Sequence, residues 1–138
     1  MQTNGTTDTT VEIQLACDED VILARQKIRT IAQELGFGML DQTRIITAAS
    51  ELARNVVVHA GQGKVVAETL SPRPGIKLIF ADQGPGIADT NKAMQEGFST
   101  VGSFGLGLPG AKRLMDAFTL ESELNGGTTV TVIKWLPQ

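Results

Sequence analysis

Ile76-Lys77-Leu78-Ile79-Phe80-Ala81-Asp82-Gln83-Gly84-Pro85-Gly86 is an apolar run that ends in a carboxylate and a glycine turn. Ile76 to Ala81 reads as a buried strand, and the residues behind it as the turn by which the chain leaves the sheet. A carboxylate held at that strand end, Asp82, can accept a hydrogen bond from the exocyclic amine of adenine. Guanine carries a carbonyl there and cannot donate. Gly84 and Gly86 let backbone lie against a flat ring where a side chain would collide. A tight turn explains an isolated Asp-x-Gly-x-Gly equally well, so the neighbouring segments decide the matter.

Downstream, Gly102, Gly105, Gly107 and Gly110 crowd the approach to a helical segment. Gly105-Leu106-Gly107 can aim free backbone N–H groups and the helix dipole at a polyphosphate. The cost of ordering so many glycines predicts a lid that closes over bound nucleotide. No Walker lysine signature accompanies it, so this is not a P-loop. Upstream, the segment from Asp41 to Gly61 carries Glu51 and Asn55 four residues apart, with His59 four further on. That spacing sets them in one stripe, while Ala49, Leu52 and Val56 face the core. The Asn55 carbonyl suits Mg²⁺, which takes few protein oxygens and completes its shell with water and phosphate. Glu51, one turn back, suits a general base. Taken alone, Glu51, Arg54 and Asn55 would be a solvated helix face. His59 is read as a polar residue near a helix end, and Lys112 and Arg113 as a solvated face.

Working outward, Val11, Ile13 and Leu15 alternate with polar residues and predict a strand ending near Cys17. Asp18 is placed as the cap of a helix with apolar positions Val21, Ala24, Ile28, Ile31, Ala32 and Leu35 and a stop at Gly36. Asp41 is placed as the cap of the next. Lys64 to Leu70 and Ile76 to Ala81 form a hairpin about Ser71-Pro72-Arg73-Pro74-Gly75. Leu108 to Ala117 is helical with Pro109 in its first turn, and Phe118–Leu124 and Thr128–Leu136 close a second hairpin at Asn125-Gly126-Gly127. The pattern predicts an α+β two-layer sandwich, helices on one face of a largely antiparallel sheet. Residues 1–10, rich in Thr, read as a flexible tail, and 11–138 as one domain.

The 138 residues can bury one core, and 41% hydrophobic content suits a globular protein. A net charge of −3 argues against a nucleic-acid binder. No run is long enough to span a bilayer, and the N-terminus lacks signal-peptide features, which predicts a cytoplasmic protein with no membrane contact. The single cysteine, Cys17, reads as a small apolar residue at a strand end. The sequence shows no long coiled coil and leaves a monomer or weak homodimer open.

Glu51-Leu52-Ala53-Arg54-Asn55, Asp82-Gln83-Gly84-Pro85-Gly86, Gly105-Leu106-Gly107 and Gly126-Gly127-Thr128 resemble, in order, the N box and three glycine boxes of the GHKL (Bergerat-fold) ATP-binding superfamily. The resemblance runs from about Val11 to Trp135. Glu34-Leu35-Gly36-Phe37-Gly38, Gly97-Phe98-Ser99-Thr100 and Gly107 to Asp116 look closest to the RsbT-type serine/threonine switch kinases of stressosome modules. It implies a Bergerat-type mixed, mostly antiparallel sheet, ATP and Mg²⁺ as cofactors, Asn55 on the metal, Glu51 as base, and Asp82 and Thr128 at the adenine. It further implies a substrate serine on a STAS-domain antagonist and, after release, a downstream phosphatase or other effector. Two rival readings stand beside it. One is an anti-sigma factor kinase of the RsbW or SpoIIAB kind, and the other is an ATP-sensing module that performs no chemistry.

Overall fold

The computed structural model describes residues 7–84 and 108–137. Five strands form one sheet in the order β1-β2-β3-β5-β4: β1 Thr7–Leu15, β2 Gly63–Leu70, β3 Gly75–Asp82, β4 Ala117–Glu123 and β5 Gly127–Trp135. Every described pairing is antiparallel. Among the described residues three α-helices accompany it, α1 Asp18–Leu35, α2 Met39–Asn55 and α3 Leu108–Leu114, with a π-helix at Val56–Ala60. This is the α+β two-layer arrangement expected from the pattern.

The sheet is two-faced because its apolar residues alternate. Val65, Ala67, Leu78, Phe80, Val130 and Val132 are buried, while their neighbours in sequence are half-exposed. Ile28 and Ala32 of α1 and Ile45 and Leu52 of α2 close the core over that buried face. β3 therefore runs between β2 and β5 with a helical layer above it. Its last residue, Asp82, emerges where the two layers part.

β1 begins four residues before Val11, inside the segment expected to be a tail, because the Thr9 N–H donates to Thr69 Oγ1 at 2.8 Å. Gly36 ends α1 in the left-handed region, φ +98°, as its place in the sequence predicts. The expected caps are corrected. Cys17, extended and exposed, precedes α1, and Asp18 is its first residue. Asp20 reaches back, accepting from the Ala16 N–H at 2.8 Å and from Cys17 Sγ at 3.4 Å. Cys17, read from the sequence as a small apolar residue at a strand end, thus lies exposed past the end of β1 at the start of α1. The Asp20 backbone N–H favours its thiolate, but desolvation and the Asp20 and Glu19 carboxylates outweigh this and hold the thiol above its ordinary value.

Gly38 precedes α2, so Asp41 lies in its first turn rather than at the cap. Asp41 bonds Arg44 at 2.8 Å and lies 3.9 Å from Lys134, whose ammonium also approaches Asp116 at 3.6 Å and the Leu114 carbonyl at 3.3 Å. Lys134 is only 12% exposed, so this cluster fastens α2 and the end of α3 to β5. The chain after α3 turns into β4 at Ala117, ahead of the expected start at Phe118, since the Asp116 N–H already donates to Ile133 O. Among the described residues no helix is long and apolar enough to cross a membrane.

Candidate functional site

Asp82 is the hinge of the site. It pairs with Gly63 on one side and Thr128 on the other, so two neighbouring strands fix its backbone. Its residue is 7% exposed, and Oδ1 accepts the Gly84 N–H at 2.8 Å. This Asx-type turn bends the chain out of the sheet and leaves the second carboxylate oxygen for another donor.

Three glycines make the bend possible by packing. A Cβ on Gly63 would meet Val56 Cγ1 at 2.6 Å and the Ala81 carbonyl oxygen. One on Gly127, which sits at φ +87°, would run into the Asp82 carbonyl oxygen and stand 3.1 Å from Gln83 Cα. One on Gly84 would meet Ala60 Cβ at 2.6 Å. Gly84 therefore permits close approach to the π-helix, which adds a structural reason to the ring contact expected of it. Gly86, Gly105, Leu106 and Gly107 lie outside the described residues, as do Pro85 and Gly102.

Thr128 stands beside Asp82 and is 6% exposed. Its Oγ1 is 2.9 Å from Ser122 Oγ, and Ser122 Oγ donates to the Gly127 carbonyl at 3.0 Å. Ser122 was not among the expected residues, yet it was within reach of counting: a three-residue loop at Leu124-Asn125-Gly126 sets Ser122 opposite Thr128.

Asp82 and Thr128 open onto a narrow cleft whose other walls are Leu52, Asn55, Val56, Phe80, Leu108 and Val130. The structure thus brings Asn55, Asp82 and Thr128 together from α2, β3 and β5. Apolar walls with a carboxylate and a hydroxyl among them have the chemistry to line a flat heterocycle that carries a hydrogen-bond donor, but the cleft as it stands encloses only about 20 Å³, so a ring would have to part these walls to enter. The apolar residues were expected only as core, since periodicity distinguishes an inward face from an outward one but not a core wall from a pocket wall. Glu51 lies one turn before Asn55 on α2, half-buried and outside the lining of the cleft. His59 falls in the π-helix and is half-buried. Lys112 and Arg113 are exposed in the last turn of α3. Among the described residues no group of three or more His, Cys, Asp or Glu side chains could hold a metal by itself.

The family model of histidine kinase-, DNA gyrase B- and HSP90-like ATPases matches residues 40–138. Serine/threonine-protein kinase RsbT of Bacillus subtilis (strain 168) is 51% identical over 126 residues, 90% of this chain and 95% of the relative. The anti-sigma F factor of Geobacillus kaustophilus (strain HTA426) is 30% identical over 126 residues, 86% of each chain. The solved RsbU and RsbW domains of Rv1364c from Mycobacterium tuberculosis share the fold at a TM-score of 0.67 and 22% identity. That match covers 94% of this chain and 33% of the other, so the chain spans about a third of that structure.

Proposed function

Because the chain belongs to the histidine kinase-, DNA gyrase B- and HSP90-like ATPase family, we propose that it is an ATP- and Mg²⁺-dependent serine/threonine protein kinase of the partner-switching type. Its substrate in this reading is a serine on a STAS-domain antagonist, and its second role is to bind a downstream effector such as a phosphatase once released. Action in the cytoplasm, where ATP is available, goes with it. The observation that carries the reading is 51% identity over 90% of the chain to a protein named serine/threonine-protein kinase RsbT. The cleft supplies the chemistry to match.

Asp82 accepts the exocyclic amine of adenine, and the Leu52, Val56, Phe80, Leu108 and Val130 walls exclude water from the ring. Asn55, in the lining of the cleft, carries a neutral carbonyl oxygen, a donor type that fits Mg²⁺ and needs no acidic cluster around it. An ion held there by Asn55 would supply positive charge against the charge that develops on the phosphates in transfer. Glu51 takes the proton of the attacking serine hydroxyl, and the backbone of Gly86, Gly105, Leu106 and Gly107 receives base and phosphates.

Phosphate transfer tests the reading. The purified protein with γ-labelled ATP, Mg²⁺ and a candidate STAS-domain protein is expected to label a serine on that protein, and chelation of Mg²⁺ is expected to stop it. Labelling of no partner under conditions where ATP binds would leave the non-catalytic ATP-sensing module, which the position of Glu51 outside the described cleft lining favours. Capture of a sigma factor in an ATP-dependent complex would move the assignment to the anti-sigma factor kinases.

A further inference from the structure

Ser122 lies on β4, outside the lining of the cleft, yet two hydrogen-bond contacts tie it to Thr128 and to the Gly127 carbonyl. The Gly127 carbonyl oxygen can only accept, so the hydroxyl hydrogen of Ser122 is spent on that 3.0 Å contact. A serine has one such hydrogen. The 2.9 Å contact with Thr128 must then run the other way, with Thr128 donating and Ser122 accepting. Thr128 is left facing the cleft with lone pairs, beside a carboxylate that also only accepts.

We propose that Ser122 is a specificity-determining positioning residue, which holds the Thr128 hydroxyl as an acceptor so that the cleft selects a purine carrying a donor at its sixth position. The proposal rests on the reading of the cleft as a purine nucleotide site and adds a source of discrimination to Asp82. A 6-amino purine meets two acceptors with N–H groups. A 6-oxo purine points its carbonyl at two acceptors and gains no partner from either. Without Ser122 the Thr128 hydrogen is released, and the hydroxyl can turn it toward a 6-oxo group. Ser122 is thus tied to selectivity, whereas a purely structural serine in this hairpin would be tied only to stability.

Calorimetric affinities for ATP and inosine triphosphate, measured on the full chain, test this. Wild type is expected to prefer ATP, and Ser122→Ala to narrow the ATP-to-inosine triphosphate ratio by roughly five- to tenfold, the worth of one hydrogen bond. Ser122→Thr, which keeps the hydroxyl, is expected to retain the wild-type ratio. In a Thr128→Val background the Ser122→Ala change should leave the ratio unaltered, since its route runs through Thr128. A folded Ser122→Ala protein that loses both nucleotides equally, or neither, overturns the proposal. Should Ser122→Ala fail to fold, an unchanged ratio in Thr128→Val alone overturns it as well. Wild type that binds neither nucleotide removes the purine reading itself, and this proposal with it.

Discussion

At the scale of single residues, Asp82 joins two demands that usually conflict. Its backbone is held by strands on both sides while its side chain bends the chain away through Gly84. Replacement by Asn keeps the size and the turn but exchanges a charged acceptor for an amide. Calorimetry of Asp82→Asn is expected to show ATP affinity lower by about 1.5–3 kcal/mol, the range for hydrogen bonds to charged groups, in a protein whose melting temperature is nearly kept. Unchanged affinity would reduce Asp82 to a turn residue. Asn55 and Glu51 should separate from each other. Asn55→Ala is expected to lose Mg²⁺-dependent ATP binding and phosphotransfer together, whereas Glu51→Ala should keep ATP and lose roughly 10²–10⁴-fold in transfer rate. Single-turnover transfer to the partner, beside equilibrium binding, distinguishes them, and wild-type rates in Glu51→Ala would take Glu51 out of the chemistry.

At the scale of elements, glycines with different surroundings should answer differently to the same change. Gly127→Ala places a Cβ against the Asp82 carbonyl at φ +87° and is expected to cost about 2–4 kcal/mol in urea unfolding. Gly110→Ala, inside α3 with nothing within 4 Å of the added carbon, should be neutral or stabilising by up to about 1 kcal/mol. Equal costs at the two positions would contradict this packing account. Elements themselves were largely legible in the sequence. The alternation of Val65, Ala67 and Thr69 marks β2, and Gly36 stops α1 where the apolar spacing ends. Caps were less legible, because Asp18, Asp20 and Asp41 can all cap, and only the local backbone decides which position each one occupies. The π-helix was not legible at all. Val56-Val57-Val58 puts three β-branched residues of modest helix propensity in succession, but nothing in that composition distinguishes a π-turn from a continued α-helix. Of the candidate site, Asp82 was legible as a carboxylate ending an apolar strand and Asn55 as the residue one turn after Glu51, whereas Thr128 came only with the family resemblance. Ser122 was missed because its part depends on strand register and not on its own neighbours in sequence.

At the scale of the whole molecule, the cleft is a junction of α2, β3, β5 and α3. A ligand there is held by elements distant in the chain, so it should stabilise the fold as a unit. Mg-ATP at a hundredfold excess over its dissociation constant is expected to add about 2.7 kcal/mol to unfolding. A thermal melt should register this in wild type and register much less of it in Asp82→Asn at the same ATP concentration. A shift of equal size in both proteins would place the stabilising contacts elsewhere. The strand order carries one more consequence. β5 lies between β3 and β4, and Thr128 comes from β5. While the chain is being synthesised, the β3 edge that β5 covers therefore has no β5 partner until residues near 135 are available, and no earlier nascent chain possesses the complete cleft. A chain that stops before β5 is thus expected to expose the β3 edge and to lack the Thr128 and Val130 wall of the cleft, so that on the proposed reading it would not bind ATP.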